Sequence, residues 1–286
     1  MSKRGFIGKI QIGGRQSGVS LVEIMVALTA ALLLTVTVGQ IYLANKQTYR
    51  LQEAQSRLQE DARYALDIFT RNIRMAGYKT IPWNAGTVAF PRDAGTDTAK
   101  PDFGRAGQVI TGLYGSAAAP ATDKLSVRFH GSGKGSCQPD GLVQDCRGSE
   151  LDAGDIAVNS FAVDSANDEL QCTAWNETVA KSKDPSCKLT HYTPSPQPIV
   201  SGFGNFQVLY GVDTDADRTA DQYVTAGSVG TNWLNVVAVR LSFELVSSED
   251  NLTMTPETYT FNGSSFTDRR LRRRFGTTIA LRNRLP

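Results

Sequence analysis

The chain opens with a long apolar run and then changes character twice. From residue 19 to residue 44 the sequence VSLVEIMVALTAALLLTVTVGQIYLA carries a single charge, Glu23. At ~1.5 Å per residue this run crosses a hydrocarbon layer ~30 Å thick with some tilt, so it predicts one membrane helix. After it the apolar residues narrow to a stripe. Leu51, Leu58, Ala62, Leu66, Phe69 and Ile73 recur at steps of three, four or seven among Gln, Glu, Arg and Asp. That spacing marks one face of an amphipathic helix continuing the first. No proline precedes Pro82, and Gly39 is the only glycine between Gly18 and Gly77. A single helix is therefore expected from about residue 19 to about residue 76, roughly 85 to 90 Å long, with Gly77 as its stop and Pro82 close behind.

Residues 80–122 are rich in Gly, Pro, Ala, Thr and Asp with weak periodicity, the composition of a long surface excursion with short strands at most. Beyond them the pattern reads as β. Val237, Val239, Leu241, Phe243 and Leu245 alternate with Ala238, Arg240, Ser242 and Glu244, the period of two of a half-buried antiparallel strand. Shorter strands are expected at 125–130, 156–163, 203–210, 258–261 and 275–282. No internal repeat is present. Sheet packed against the polar half of a long helix gives an α+β fold.

Charge changes this picture at the N-terminus. The net charge is only +2, but Lys3, Arg4, Lys9 and Arg15 precede Gly18 with no acidic residue among them. Basic residues just before the apolar run place that end in the cytoplasm and everything after residue 44 outside. A secretory signal has its small residues after the apolar stretch, whereas here Ser17-Gly18 stands before it. The apolar run is thus expected to stay on the mature chain.

The junction reads Gln16-Ser17-Gly18-Val19-Ser20-Leu21-Val22-Glu23-Ile24-Met25-Val26-Ala27-Leu28 and resembles the class III signal of type IV prepilins and type II secretion pseudopilins. The resemblance implies a leader of residues 1–18, removed by prepilin peptidase after Gly18, and methylation of the new amine at Val19, where the family usually has phenylalanine. It puts Glu23 at the fifth mature position, where it acts in assembly. The physical argument agrees, since a carboxylate within an apolar helix costs about 2.5 to 3.5 kcal/mol at the bilayer centre unless paired or near the interface. The free amine of Val19, on this or a neighbouring subunit, is the natural cation for it.

Three further patches, Arg57 to Asp67 with Arg71 to Tyr78, Tyr210 to Asp217, and Thr277 to Arg284, resemble the PilW family of minor pilins. This resemblance implies a pilin-like fold, with 19–44 as the transmembrane half of the helix, 45–78 as its amphipathic half and 79–286 as an extracytoplasmic β-rich domain. It implies a low-abundance subunit that primes pilus assembly with the other minor pilins and the major pilin, and that meets a PilY1-type tip adhesin. The expected location is the inner membrane with the domain in the periplasm, then the pilus on the cell surface, in support of adhesion and twitching motility. A J-type pseudopilin of type II secretion shares this architecture and is the alternative.

Cys137, Cys146, Cys172 and Cys187 all fall on the outer side, where an oxidising compartment lets them pair. Of three connectivities, Cys137 with Cys146 and Cys172 with Cys187 closes the shortest loops and is the expected one. No CxxC or close His pair suggests zinc. Asp213, Asp215, Asp217 and Asp221 stand at positions one, three, five and nine of a turn, with the Thr219 carbonyl as a further oxygen, a pattern that fits structural calcium. Arg218 stands where such loops need glycine and Val224 where they have glutamate, so an acidic surface turn is the competing reading.

Other chemistry is weakly supported. Gly131-Ser-Gly-Lys-Gly-Ser136 lacks the Ser or Thr after lysine and the upstream glycine of a phosphate loop. His130 and His191 have no recognisable nucleophile arrangement, so no catalytic residue is assigned. Arg269, Arg270, Arg272, Arg273 and Arg274 would attract phosphate, but a solvated strand or turn paired with acidic neighbours is the expectation. No specific nucleic-acid partner is expected from a charge this small.

Overall fold

The structure is a computed structural model and describes residues 18–79, 89–93, 100–115, 122–133, 138–178, 194–261 and 263–284. The chain divides into two units, one ending at Arg50 and one beginning at Leu51. Helix α1 (Leu21–Met75) contributes to both.

The part of α1 up to Arg50 presents apolar side chains to its surroundings, with Leu21, Leu33 and Leu43 each 65 % exposed or more. Its threonine hydroxyls are satisfied within the helix. Thr35 and Thr37 donate to the carbonyls of Ala31 and Leu33 at 2.8 Å, and Thr29 donates to Val26 at 2.9 Å. Such back-bonding removes the penalty of placing a hydroxyl in an apolar medium.

From Leu51 on, α1 buries a stripe of Ala54, Leu58, Ala62, Ala65, Phe69, Asn72 and Ile73. The sheets that receive it are antiparallel. One has five strands in sequence order: β1 (Ile110–Leu113), β2 (Lys124–His130), β3 (Asp155–Asp164), β4 (Glu169–Thr178) and β5 (Gln197–Ser201). The next strands are β6 (Phe203–Val212) and β7 (Gln222–Val224), then a one-turn helix α2 (Ala226–Val229) and β8 (Val236–Val246). A hairpin of β9 (Glu257–Phe261) and β10 (Ser264–Asp268) precedes β11 (Arg272–Ala280). These strands build a second sheet in the order β11-β8-β6-β7.

Phe69 is where the helix and both sheets meet. Its ring stacks on Phe206 of β6 at 5.1 Å between centroids and meets Phe161 of β3 edge-on at 5.4 Å. Phe203 and Phe243 complete the cluster. Alanines at 54, 62 and 65 leave the helix surface low enough for strands to approach closely. Asp123, buried between the sheets, ties them together by accepting from the amides of Gly115 at 2.9 Å and Val208 at 2.8 Å.

The segment expected as a surface excursion is more structured than its composition suggests. Among its described residues Phe90, Phe103, Val109 and Ile110 are buried. The reason is Arg128 of β2, itself buried, whose guanidinium packs 4.4 Å from the Phe103 ring centre and 5.4 Å from that of Phe90. Arg128 also donates to the carbonyls of Gln108 and Pro91, so one side chain gathers three pieces of irregular chain.

Candidate functional site

Residues 18–20 lead into α1 in a non-helical conformation, and Glu23 lies in its first turn. A carboxylate there interacts favourably with the positive end of the helix dipole. Val19 is 62 % exposed and Glu23 is exposed with it. Gly18, Val19 and Glu23 are thus brought together on one accessible helix end by chain adjacency alone. Lys3, Arg4, Lys9 and Arg15 lie outside the described residues.

The cysteines correct the sequence expectation. Cys146 is bonded to Cys172 across 26 residues, with Cα atoms 6.4 Å apart, so the pairing of neighbours does not hold. Cys172 points into the core from β4, and the 138–151 segment passes in front of it. That crossing decides the connectivity, and loop length does not reveal it. Cys137 and Cys187 lie outside the described residues.

The aspartate turn between β6 and β7 divides its carboxylates. Oxygens of Asp213, Asp215 and Asp221 lie within 4.8 Å of one another. Asp217 is not in that group; its Oδ1 accepts from the Thr219 amide and hydroxyl, both at 2.7 Å. Asp213 accepts from the amides of Ala216 at 2.7 Å and Arg218 at 2.8 Å. Arg218 takes φ +69, the left-handed turn that glycine usually supplies at that position. The carboxylate oxygens suit a hard cation such as calcium.

The arginine run is not a uniform solvated surface. Arg272 is buried and joins Glu244 at 3.1 Å and Asp268 at 2.6 Å. Burial pushes the Asp268 carboxyl up, but the hydrogen bond and charge of Arg272 outweigh it and hold the group below its ordinary value. Arg270 pairs with Asp168 at 2.8 Å, and Arg274 lies 5.1 Å from the Phe261 ring centre. These guanidiniums fasten the β9–β10 hairpin and the β3–β4 turn. His130 is buried with Nε2 against the Ala89 carbonyl at 2.7 Å. Burial, with Lys79 and Arg128 nearby, lowers its pKa and favours the neutral ring. His191 lies outside the described residues.

Sequence reasoning missed the role of the end of the chain. Leu281 is core, and Asn283 Nδ2 reaches the carbonyls of Arg74, Ala76 and Met75 at 2.9, 3.2 and 3.4 Å. Those of Arg74 and Ala76 are carbonyls that the end of a helix leaves unpaired, whereas that of Met75 also accepts from the Tyr78 amide at 2.8 Å. Gly77 follows at φ +80 and donates to the Arg128 carbonyl at 3.0 Å, which turns the chain from α1 onto β2. The only advance signal was the recognisable ending Thr277 to Arg284, which gave no mechanism.

Residues 161–283 match the PilW family, described as type IV pilus-assembly protein W. No curated protein matches the chain. The PilW match runs from β3 through β11 to the Asn283 cap and leaves out α1 altogether. It is therefore independent of the Gly18 junction and supports involvement in type IV pilus assembly.

Proposed function

We propose that this chain is a minor pilin, processed after Gly18 and incorporated into a type IV pilus through α1. The observation that carries the proposal is the two-part nature of α1. One stretch of the helix, beginning three residues after Gly18, leaves its leucines exposed, and the other is the spine of a domain of which residues 161–283 match the PilW family. An apolar helix surface of that length needs lipid or neighbouring helices around it, and a pilin meets the first before assembly and the second afterwards.

In this reading residues 1–18 are the leader, 19–44 the membrane-spanning half, 45–78 the amphipathic half and 79–286 the periplasmic domain. Prepilin peptidase cuts after Gly18, and the methylated amine of Val19 pairs with Glu23 of an adjacent subunit. The Cys146–Cys172 bond suits an oxidising compartment. The other minor pilins, the major pilin and a tip adhesin are the partners, and adhesion and twitching motility depend on the filament they prime. The turn at 213–221 gives structural calcium a place. The PilW match favours the pilus over type II secretion.

Intact-mass measurement tests the reading. The mature protein should begin at methylated Val19, and a mature filament subunit still carrying Met1 would falsify it. Gly18→Glu should leave precursor in the inner membrane, because a charged side chain fills the peptidase position. Glu23→Ala should be cleaved yet poorly assembled. Deletion of the gene should abolish surface pili and twitching, whereas loss of exoprotein secretion with normal pili would transfer the chain to the secretion system.

A further inference from the structure

The loop of residues 247–256 joins β8 to β9 and reads Glu249-Asp-Asn251-Leu-Thr253 at its centre. Asn-x-Thr is the acceptor tripeptide for N-linked glycans. Bacterial oligosaccharyltransferases read a longer form, with Asp or Glu two residues before the asparagine and no proline on either side of it. Glu249 stands at that position, and Asp250 and Leu252 flank the asparagine. Asn176-Glu-Thr178 and Asn262-Gly-Ser264 share the tripeptide but have Ala174 and Thr260 where the acid is needed. Asn176 also lies within β4 opposite Ala157 of β3, with Glu177 and Thr178 paired to β3 beside it. A transferase needs an acceptor backbone that is free to turn, and a strand inside a ladder is not. Asn262 lies outside the described residues.

Asn251 is placed differently. Glu249, Asp250 and Asn251 are all exposed, and Asn251 takes φ +58, the left-handed conformation that asparagine tolerates in a tight turn. The loop is fastened on both sides of this tip. Ser247 Oγ donates to the Glu249 carbonyl at 3.0 Å and accepts from the Leu271 amide at 3.0 Å. Leu252 is buried, and the amides of Leu252 and Thr253 both donate to the Arg269 carbonyl, at 2.9 and 3.2 Å. Freeing residues 251–253 therefore opens two backbone hydrogen bonds and withdraws one leucine. That is a local opening, which leaves the pairing of β8 with β6 and of β9 with β10 in place.

We propose that Asn251 is the acceptor of an N-linked glycan, transferred from an oligosaccharide carried on polyprenyl pyrophosphate. The side-chain amide nitrogen bonds to C1 of the first sugar as the C1–O bond to the pyrophosphate breaks. The amide gives one proton to a base of the transferase, and polyprenyl pyrophosphate leaves. Glu249 is the charge by which the enzyme holds the loop, and the Thr253 hydroxyl, which donates to the Thr255 carbonyl in the free protein, orients the amide. A glycan is bulky and hydrophilic, and this exposed tip has room for it. In the cell the step rests on the proposed export of the domain, since the lipid-linked donor presents its sugars on the outer side.

The test has two arms, both read by mass spectrometry with fragmentation that keeps sugars attached. In the first, the mature chain is purified from the cells that make it. The peptide spanning Asn251 should carry a glycan mass localised to that residue. A chain that begins at methylated Val19 with Asn251 unmodified would overturn the site and leave the filament role standing. In the second, the full chain in detergent, folded or unfolded in urea and diluted, is incubated with a bacterial oligosaccharyltransferase and a polyprenyl-pyrophosphate oligosaccharide. Transfer to Asn251 should be lost in Asn251→Gln, Glu249→Gln and Thr253→Ala, and kept in Thr253→Ser and Asn176→Gln. No transfer to either form of the chain, transfer to Asn176 or Asn262 in place of Asn251, or full transfer to Glu249→Gln would each overturn the proposal. This arm needs neither export nor a filament, so it reads the site even if the chain still carries Met1 in cells.

Discussion

The two halves of α1 share one backbone geometry and differ in what surrounds them. Up to Arg50 the side chains that a globular protein would bury, such as Leu32, Leu33 and Leu34, are exposed. From Leu51 on, residues of the same helix include Ala65, Phe69 and Ile73, none of which has any exposure. The helix itself is locally determined throughout, since nothing from Leu21 to Met75 breaks it. What differs is who satisfies the apolar surface. The second half is satisfied by its own chain, and the first calls for an environment outside it.

The largest expected effect tests that contrast directly. Phe69→Ala removes the ring that joins α1 to Phe161, Phe203, Phe206 and Phe243, and should cost about 3 to 5 kcal/mol of domain stability. Leu33→Ala deletes comparable apolar bulk from the first half and should change domain stability by less than about 0.5 kcal/mol. Urea denaturation of the full chain in detergent, followed by tryptophan fluorescence, reads both. A similar loss in the two variants would abolish the distinction between the halves.

Next in size is the bond that fixes the segment facing the second half. Cys146 lies with Leu142 and Val143 across a cavity of about 280 Å³ from Tyr64, Ile68 and Asn72 of α1. Replacing Cys146 and Cys172 together by alanine should lower stability by about 2 to 4 kcal/mol, largely through the unfolded chain. Non-reducing peptide mapping should recover the Cys146 and Cys172 peptides joined. Recovery of Cys146 joined to Cys137 would restore the neighbour pairing and detach the segment from β4.

A smaller effect belongs to the point where the second half ends. Asn283→Ala leaves the carbonyls of Arg74, Met75 and Ala76 without their side-chain donor and should cost about 1 kcal/mol. Hydrogen exchange should quicken at the amides of the last turn of α1 and remain unchanged at Leu21 to Leu34. Exchange that quickens along the whole helix would mean that the cap governs both halves.

How much of this was legible in the sequence follows from where each constraint acts. The helix was readable from Leu21 to Met75 because its periodicity and lack of breakers are local, and Gly77 marked its end. β8 was readable because Val237 to Leu245 alternate cleanly. β4 was not, since its inward residues are Leu170, Cys172 and Ala174, two of them too small to stand out. The burial of Arg128 and Arg272 depends on aromatic rings and carboxylates far away in sequence. The same is true of the disulfide, whose partner is chosen by how the 138–151 segment crosses β4. Of the candidate site, the Gly18 to Glu23 end was plain in the residue order.

The smallest effect is expected in the turn between β6 and β7, where the carboxylates are exposed. Asp217 is held below its ordinary value chiefly by the Thr219 hydroxyl, and Asp221 chiefly by the Thr214 amide. A folded pKa below the unfolded one means that the contribution is present at neutral pH and is lost as pH falls through and below about 3.9. Acid should therefore loosen this turn locally, seen as faster amide exchange at Thr214 and Thr219, before either half of α1 responds. Calcium acts on the same oxygens in the opposite direction. With no bidentate glutamate at Val224, binding should be weak, in the millimolar range, because three converging carboxylates leave part of the coordination to water. Calorimetric titration of the full chain in detergent should show heat and a small rise in melting temperature, both lost in Asp215→Ala/Asp217→Ala. Absence of both in the unaltered chain would make the turn a set of hydrogen-bonded aspartates and nothing more, since the amides of Ala216, Arg218 and Thr214 already hold it without an ion.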